Sequence, residues 1–105
     1  MSEIEVPHEH SVEQDGVIFV KGITSTKGLA SCIFASATKE KRSSIVLRGI
    51  GAGANNQMTK ATILAKGELS KKGIYFLIDM YFKDVDSNRV GEEGVTAIEY
   101  KLTFA

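Results

Sequence analysis

Apolar residues recur along this chain with two different periods. In Ile74 to Phe82, the set Ile74, Phe76, Ile78, Met80 and Phe82 alternates with Tyr75, Leu77, Asp79, Tyr81 and Lys83. In Val95 to Phe104, the set Thr96, Ile98, Tyr100, Leu102 and Phe104 alternates with Glu99, Lys101 and Thr103. Period two over such lengths predicts two strands of a hairpin. The polar stretch Asp84 to Gly94 between them predicts an exposed, mobile tip. Val17 to Val20 is a short β-branched run and predicts a buried strand. Ser44 to Ile50 predicts another, ending at Gly49-Ile50-Gly51.

Between these runs the period changes. Leu29, Cys32, Ile33, Ser36 and Ala37 fall at helical spacing, which predicts a helix from about Lys27 to Lys39, with Thr24, Ser25 or Thr26 as its cap. Phe34 falls off that stripe, as a partly buried aromatic or a subunit contact. Ala54, Met58, Ala61, Ala65 and Leu69 predict a second helix from about Asn55 to Leu69, with Gly67 and Gly73 bracketing its end. The order is β-α-β-α-β-β. Two helices then cover one face of a mixed four-stranded sheet, giving an α/β two-layer sandwich.

Composition bounds this picture. The chain has 105 residues, 43% hydrophobic and 25% charged, which suits one folded domain and excludes wholesale disorder. No apolar run approaches the ~20 residues that span a bilayer, so no membrane association is expected. Residues 1–15 read as a flexible acidic arm with no apolar leader, and residues 16–105 as the domain. Cys32 is the single cysteine and cannot form an internal disulfide. These features predict a cytoplasmic protein.

The net charge of zero hides a pattern. Residues 1–20 carry −5, residues 21–72 carry ten basic residues against Glu40 and Glu68 for +8, and residues 73–105 carry −3. A basic block between acidic ones can set up a local positive field.

The run Gly49-Ile50-Gly51-Ala52-Gly53-Ala54-Asn55-Asn56-Gln57 holds the most chemistry. Glycines after a strand allow a sharp turn and a close approach. The helix start that follows offers unpaired N–H groups and a positive dipole end, which together can hold a phosphate. Asn55, Asn56 and Gln57 add donors and acceptors, and Lys60 lies one turn further on. The alternative is that the glycines only let the helix pack tightly, with an Asn as cap.

Gly49, Gly51 and Ala54 satisfy G-x-G-x-x-A, but a dinucleotide domain needs more parallel βαβ units than this chain holds. The phosphate loop of nucleotide hydrolases is absent, since no G-K-S/T follows the glycines. His8 and His10 sit in the acidic arm without the third or fourth fixed ligand a metal needs. Cys32 lies on an apolar stripe with no histidine near it in sequence, as a buried, inert thiol. Asp79 and Glu99 are read as lying on alternating faces and pairing with lysines. No catalytic set emerges, so the chain is not expected to be an enzyme, and no cofactor or metal is implied.

Gly51-Ala52-Gly53-Ala54, Asn56-Gln57, Lys60-Ala61 and Ala65-Lys66-Gly67 resemble the signature of the bacterial stage V sporulation protein S family. Gly91-Glu92-Glu93 followed by Thr96-Ala97-Ile98 matches that family at its last strand. The family is similar to the Alba proteins, β-α-β-α-β-β domains that dimerise and bind DNA or RNA. The C-terminal domain of translation initiation factor three is arranged similarly. The resemblance therefore implies an Alba-like fold, a homodimer, and a regulatory, non-enzymatic role in nucleic-acid binding through the phosphate backbone. The residues it points to are Lys27, Arg48, Gly51, Ala52, Gly53, Asn55, Asn56, Gln57, Lys60, Lys83 and Arg89. The alternative is a protein-interaction module on the same fold, without nucleic acid. Less favoured is a small-molecule sensor at the glycine turn.

Overall fold

The last strand of the chain lies inside the sheet rather than at its edge. The computed structural model describes residues 16–85 and 95–105. Its elements are β1 (Val17–Val20), α1 (Thr26–Thr38), β2 (Ser44–Gly49), α2 (Ala52–Ser70), β3 (Phe76–Val85) and β4 (Val95–Phe104). The strands form one sheet in the order β1-β2-β4-β3. β1 and β2 are parallel, and β4 is antiparallel to both of its neighbours. This is the mixed sheet and the α/β sandwich that the two periodicities predict.

One face of the sheet carries the core. Ile18, Val20, Ile45, Leu47 and Leu102 alternate with outward residues and bury against Leu29, Cys32 and Ile33 of α1 and Ala54, Met58, Ala61, Ala65 and Leu69 of α2. Each fully buried Leu, Ile or Met side chain contributes about 1.5–3 kcal/mol. Phe34 is half-buried and packs against the same cluster. Cys32 is buried there too, and burial, reinforced by Glu40, pushes its thiol up to about 11.

Three boundaries differ from the sequence reading. Helix α2 starts at Ala52 rather than Asn55 and runs to Ser70, with Gly67 in its last turn. The early start follows from Gly51, whose φ of 92° lies in the left-handed region, and whose carbonyl accepts the Asn55 N–H at 3.1 Å. Gly51 is therefore the cap residue, and Asn55 is not. At the other end, Gly73 does take a positive φ, 75°, and the Ile74 N–H closes on the Leu69 carbonyl. Strand β3 extends to Val85, paired with Val95, which places Asp84 in the strand rather than in the tip. Residues 86–94, with the rest of the expected tip, lie outside the described residues, as does the expected arm at 1–15.

The seat of α2 on the sheet is set at Gly49. A Cβ there would stand 2.6 Å from Met58 Sδ and 2.9 Å from Ala54 Cβ. Those distances are below contact, so only a glycine lets the first turns of α2 lie this close to β2. The helix start is also close to the β1–α1 loop, where a Cβ on Gly53 would stand 3.2 Å from Gly22 Cα.

The helix-free face is pinned by one row of side chains. Phe19, Arg48, Glu99 and Tyr81 are direct cross-strand neighbours in β1, β2, β4 and β3. The Arg48 guanidinium lies 5.2 Å from the Phe19 ring centroid, and its Nε donates to Glu99 Oε2. Glu99 is buried, although no helix covers it. Tyr81, the outer member of the row, has its phenol raised above the ordinary tyrosine value. Desolvation is the largest cause, followed by its hydrogen bond to Glu99 and the charges of Glu99 and Asp79. The alternating-face reading of Asp79 and Glu99 is therefore corrected. Both point to the helix-free face, because Asp79 is opposite Lys101 and Tyr81 is opposite Glu99. Glu99 pairs with an arginine, not a lysine.

Gly49→Ala forces Ala54 and Met58 outward and should cost about 1–3 kcal/mol. Thermal melting should show this as a fall of at least ~4 °C in Tm. Arg48→Met leaves the Glu99 carboxylate buried without its cation and should cost about 3 kcal/mol in urea unfolding, largely regained in Arg48→Met/Glu99→Leu. In Glu99→Gln, NMR titration of Tyr81 should move its midpoint back toward about 10. Because the folded phenol holds its proton more tightly, its contribution to stability is full below the unfolded value. It is lost as pH rises through the folded one.

Candidate nucleic-acid interface

Strand direction gathers three loops at one end of the sheet. β1 and β2 are parallel, so the β1–α1 loop and the β2–α2 turn leave from the same end. β4 runs the other way, and its Ile98 is opposite Gly49. Val95, Thr96 and Ala97 continue past β2, paired with Val85, Asp84 and Lys83 of β3. At ~3.3 Å per residue the β3–β4 ladder overhangs the glycine turn by roughly 10 Å.

The starts of both helices meet at this end, yet they are finished differently. Ser25 caps α1 by accepting the Gly28 N–H on its Oγ at 3.0 Å. The loop before it is tightened by Thr24, whose buried Oγ1 accepts the Lys21 N–H at 2.8 Å. Helix α2 has no side-chain cap at all. Its cap residue is a glycine, and the exposed Ala52 and Gly53 follow. Neither helix has an acidic residue in its first turn. The positive ends of two dipoles thus lie together with no carboxylate from their first turns to satisfy them.

Gln57 ties the two loops into one unit. Its Nε2 donates to the Thr24 carbonyl at 2.6 Å, across 33 positions of sequence. This fixes the β1–α1 loop against α2. Asn55 has a buried Oδ1 with no hydrogen-bond partner, a costly state for an acceptor in the first turn. Asn56 is exposed on the same turn. Lys21 and Gly22 are parts of this end that the sequence reading passed over, and Thr24, one of its candidate caps, braces the loop while Ser25 caps the helix. The signal was a glycine and a hydroxyl residue in the loop opposite the glycine turn.

The structure sorts the expected phosphate contacts. Gly51, Ala52, Gly53, Asn55, Asn56 and Gln57 come together at the start of α2, and Lys27 lies exposed in the first turn of α1. Lys60 is exposed on α2, eight residues beyond Ala52 and so about 12 Å along the axis. Lys83 sits on the overhanging ladder, on the helix-free face. Arg48 is on that face too, engaged by Glu99 and Phe19 and turned away from α2. Arg89 lies outside the described residues.

The basic block of residues 21–72 is also divided by the fold. Lys39, Lys41, Arg42, Lys71 and Lys72 sit after the C-termini of the helices, at the opposite end from the glycine turn. There Arg42 pairs with Glu40 at 2.7 Å and Lys71 with Glu68 at 3.5 Å. Among the described residues, no group of three or more His, Cys, Asp and Glu could hold a metal ion. No helix among them is long and apolar enough to cross a membrane.

No curated protein matches this chain. A family model described as stage V sporulation protein S matches residues 16–105, which include every described element. With so much of the chain matched, it belongs to the stage V sporulation protein S family, a regulatory sporulation family and not a known family of enzymes.

Proposed function

We propose that this protein regulates by binding nucleic acid, DNA or RNA, with the phosphate backbone held at the start of α2. The observation that carries the reading is the uncapped, carboxylate-free start of α2 set beside the start of α1. Backbone N–H groups of Ala52, Gly53 and Ala54 supply donors to a phosphate. Lys27 and Lys60 supply charge at either side, and Lys21 stands in the adjoining loop. The overhanging β3–β4 ladder, with Lys83, gives a second element for the backbone to run along. Arg48 is left out of this surface by its ion pair.

Contacts of this kind fix position on the backbone and read little sequence. Binding should therefore fall with salt and differ little among sequences of one nucleic acid. The near-balance of charge predicts modest affinity, since few cations reach the site.

Fluorescence anisotropy with labelled duplex DNA and with RNA, at two salt concentrations, tests the reading. Ala52→Asp places a carboxylate in the first turn of α2. It should stabilise the helix by about 0.3–1 kcal/mol while weakening binding at least ~10-fold. Lys60→Ala should weaken binding to every sequence alike and lower the salt slope by about 1. Absence of binding at low salt, or full binding by Ala52→Asp, would rule the reading out. Capture of a protein partner that survives nuclease treatment would favour the protein-interaction alternative.

A further inference from the structure

Ile23 is the most exposed large apolar side chain among the described residues, at 90%. It stands at the tip of the turn from Lys21 to Thr24, between β1 and α1. An exposed isoleucine by itself is ordinary. This one is held in a fixed place. The Thr24 N–H donates to the Lys21 carbonyl at 3.0 Å, and the Lys21 N–H to Thr24 Oγ1 at 2.8 Å. Gln57 holds the Thr24 carbonyl from α2, and Gly22 lies against Gly53. Turn tips favour Gly, Asn, Asp and Ser, which fit the backbone or brace it. A β-branched side chain does neither, and Ile23 packs on no part of the core. The fold thus fixes the position of an apolar group that folding itself does not use.

A second apolar side chain stands beside this turn. Val20 is opposite Gly49, so β1 and β2 release Lys21 and Ile50 side by side. Ile50 is 52% exposed. Together Ile23 and Ile50 give an apolar tip to the end where both helix starts are left positive, with Lys21 and Lys27 exposed next to it.

Two side chains fall far short of the ~800 Å² per partner of a standard protein interface. Anion-binding groups around an apolar tip match a ligand with phosphates at its surface and an apolar interior directly beneath them. A duplex offers this, with stacked bases under its backbone. A bilayer offers it too, but as a plane. The β3–β4 ladder reaches roughly 10 Å beyond the glycine turn, so a plane meets the ladder before the tip. A grooved rod can lie in the step between them.

We propose that Ile23, flanked by Ile50, is a wedge that enters a base step of duplex DNA from the minor groove and kinks it. The proposal rests on the phosphate-backbone reading of the helix starts and adds the form of nucleic acid that suits them. Apolar wedges of this kind partly unstack one step and bend the duplex by ~20–90° toward the major groove. Unstacking is easiest at pyrimidine–purine steps such as TA, so the wedge adds a small preference to contacts that otherwise read no sequence. The ties on the turn hold Ile23 ready, which keeps the ordering cost of binding low.

Energy transfer between dyes at the two ends of a duplex of about 30 bp with a central TA step, read beside anisotropy, tests the wedge. With the full wild-type chain, transfer should rise on binding to a bend of ~20–90°, and the TA duplex should bind at least ~3-fold tighter than one without such steps. Ile23→Ser alters a side chain outside the core, so Tm should hold. It should lose the bend and the TA preference while keeping salt-dependent binding within ~10-fold of the wild type. Ile23→Leu should keep both. Binding to RNA alone, binding to DNA without a bend, or a bend unchanged in Ile23→Ser overturns the wedge and leaves the phosphate reading standing. Failure of the wild type to bind any nucleic acid at low salt overturns that reading, and the wedge with it. Sedimentation with vesicles of equal parts phosphatidylglycerol and phosphatidylcholine, lost in Ile23→Ser, would assign the tip to a lipid surface and overturn the wedge.

Discussion

Everything at the glycine-turn end depends on how closely α2 can approach β2. Gly49 leaves the space that Met58 and Ala54 fill, and Gly22 leaves the space for Gly53. With those two contacts made, Gly51 can turn the chain straight from strand to helix without a side-chain cap. The same approach brings Gln57 within reach of Thr24. A tight helix seat and an unsatisfied helix start are therefore one arrangement. The glycines serve packing, and packing exposes the N–H groups.

Electrostatics then separates the two ends of the molecule. Cations gather after the helix C-termini, where the dipoles favour them, and two of them, Arg42 and Lys71, are matched by Glu40 and Glu68. At the other end the dipoles are left positive, and Lys27 even sits in the first turn of α1, where a cation is disfavoured. Arg48 could have added to this field, but Glu99 neutralises it on the far side of the sheet. The surface charge is thus weaker than the chain's basic block implies and is carried more by backbone groups than by lysines.

The order and type of all six elements were legible in the sequence, because each hydrophobic run keeps one period throughout. Strand order was not, since nothing local says that β4 inserts between β2 and β3. The start of α2 was misplaced because Gly51-Ala52-Gly53 has low helical preference, which a positive φ at Gly51 and packing on Gly49 override. At the candidate interface the turn residues were readable, but the fate of Arg48 was not. It depends on Glu99, 51 positions away, and only the register brings them together. The apolar character of β3 was visible in its alternation, yet its exposure is a matter of where the helices end.

The central position of β4 has a consequence for how the molecule is made. β2 is bonded to β1 and β4, and β3 only to β4. Until residues 95–104 are in place, β3 has no strand beside it and β2 has an open edge. A chain leaving the ribosome therefore carries β3, with Phe82, Met80 and Leu77, without its sheet partner until β4 follows it. Pairing of β4 with both β2 and β3 is therefore the step that joins β3 to the rest of the sheet.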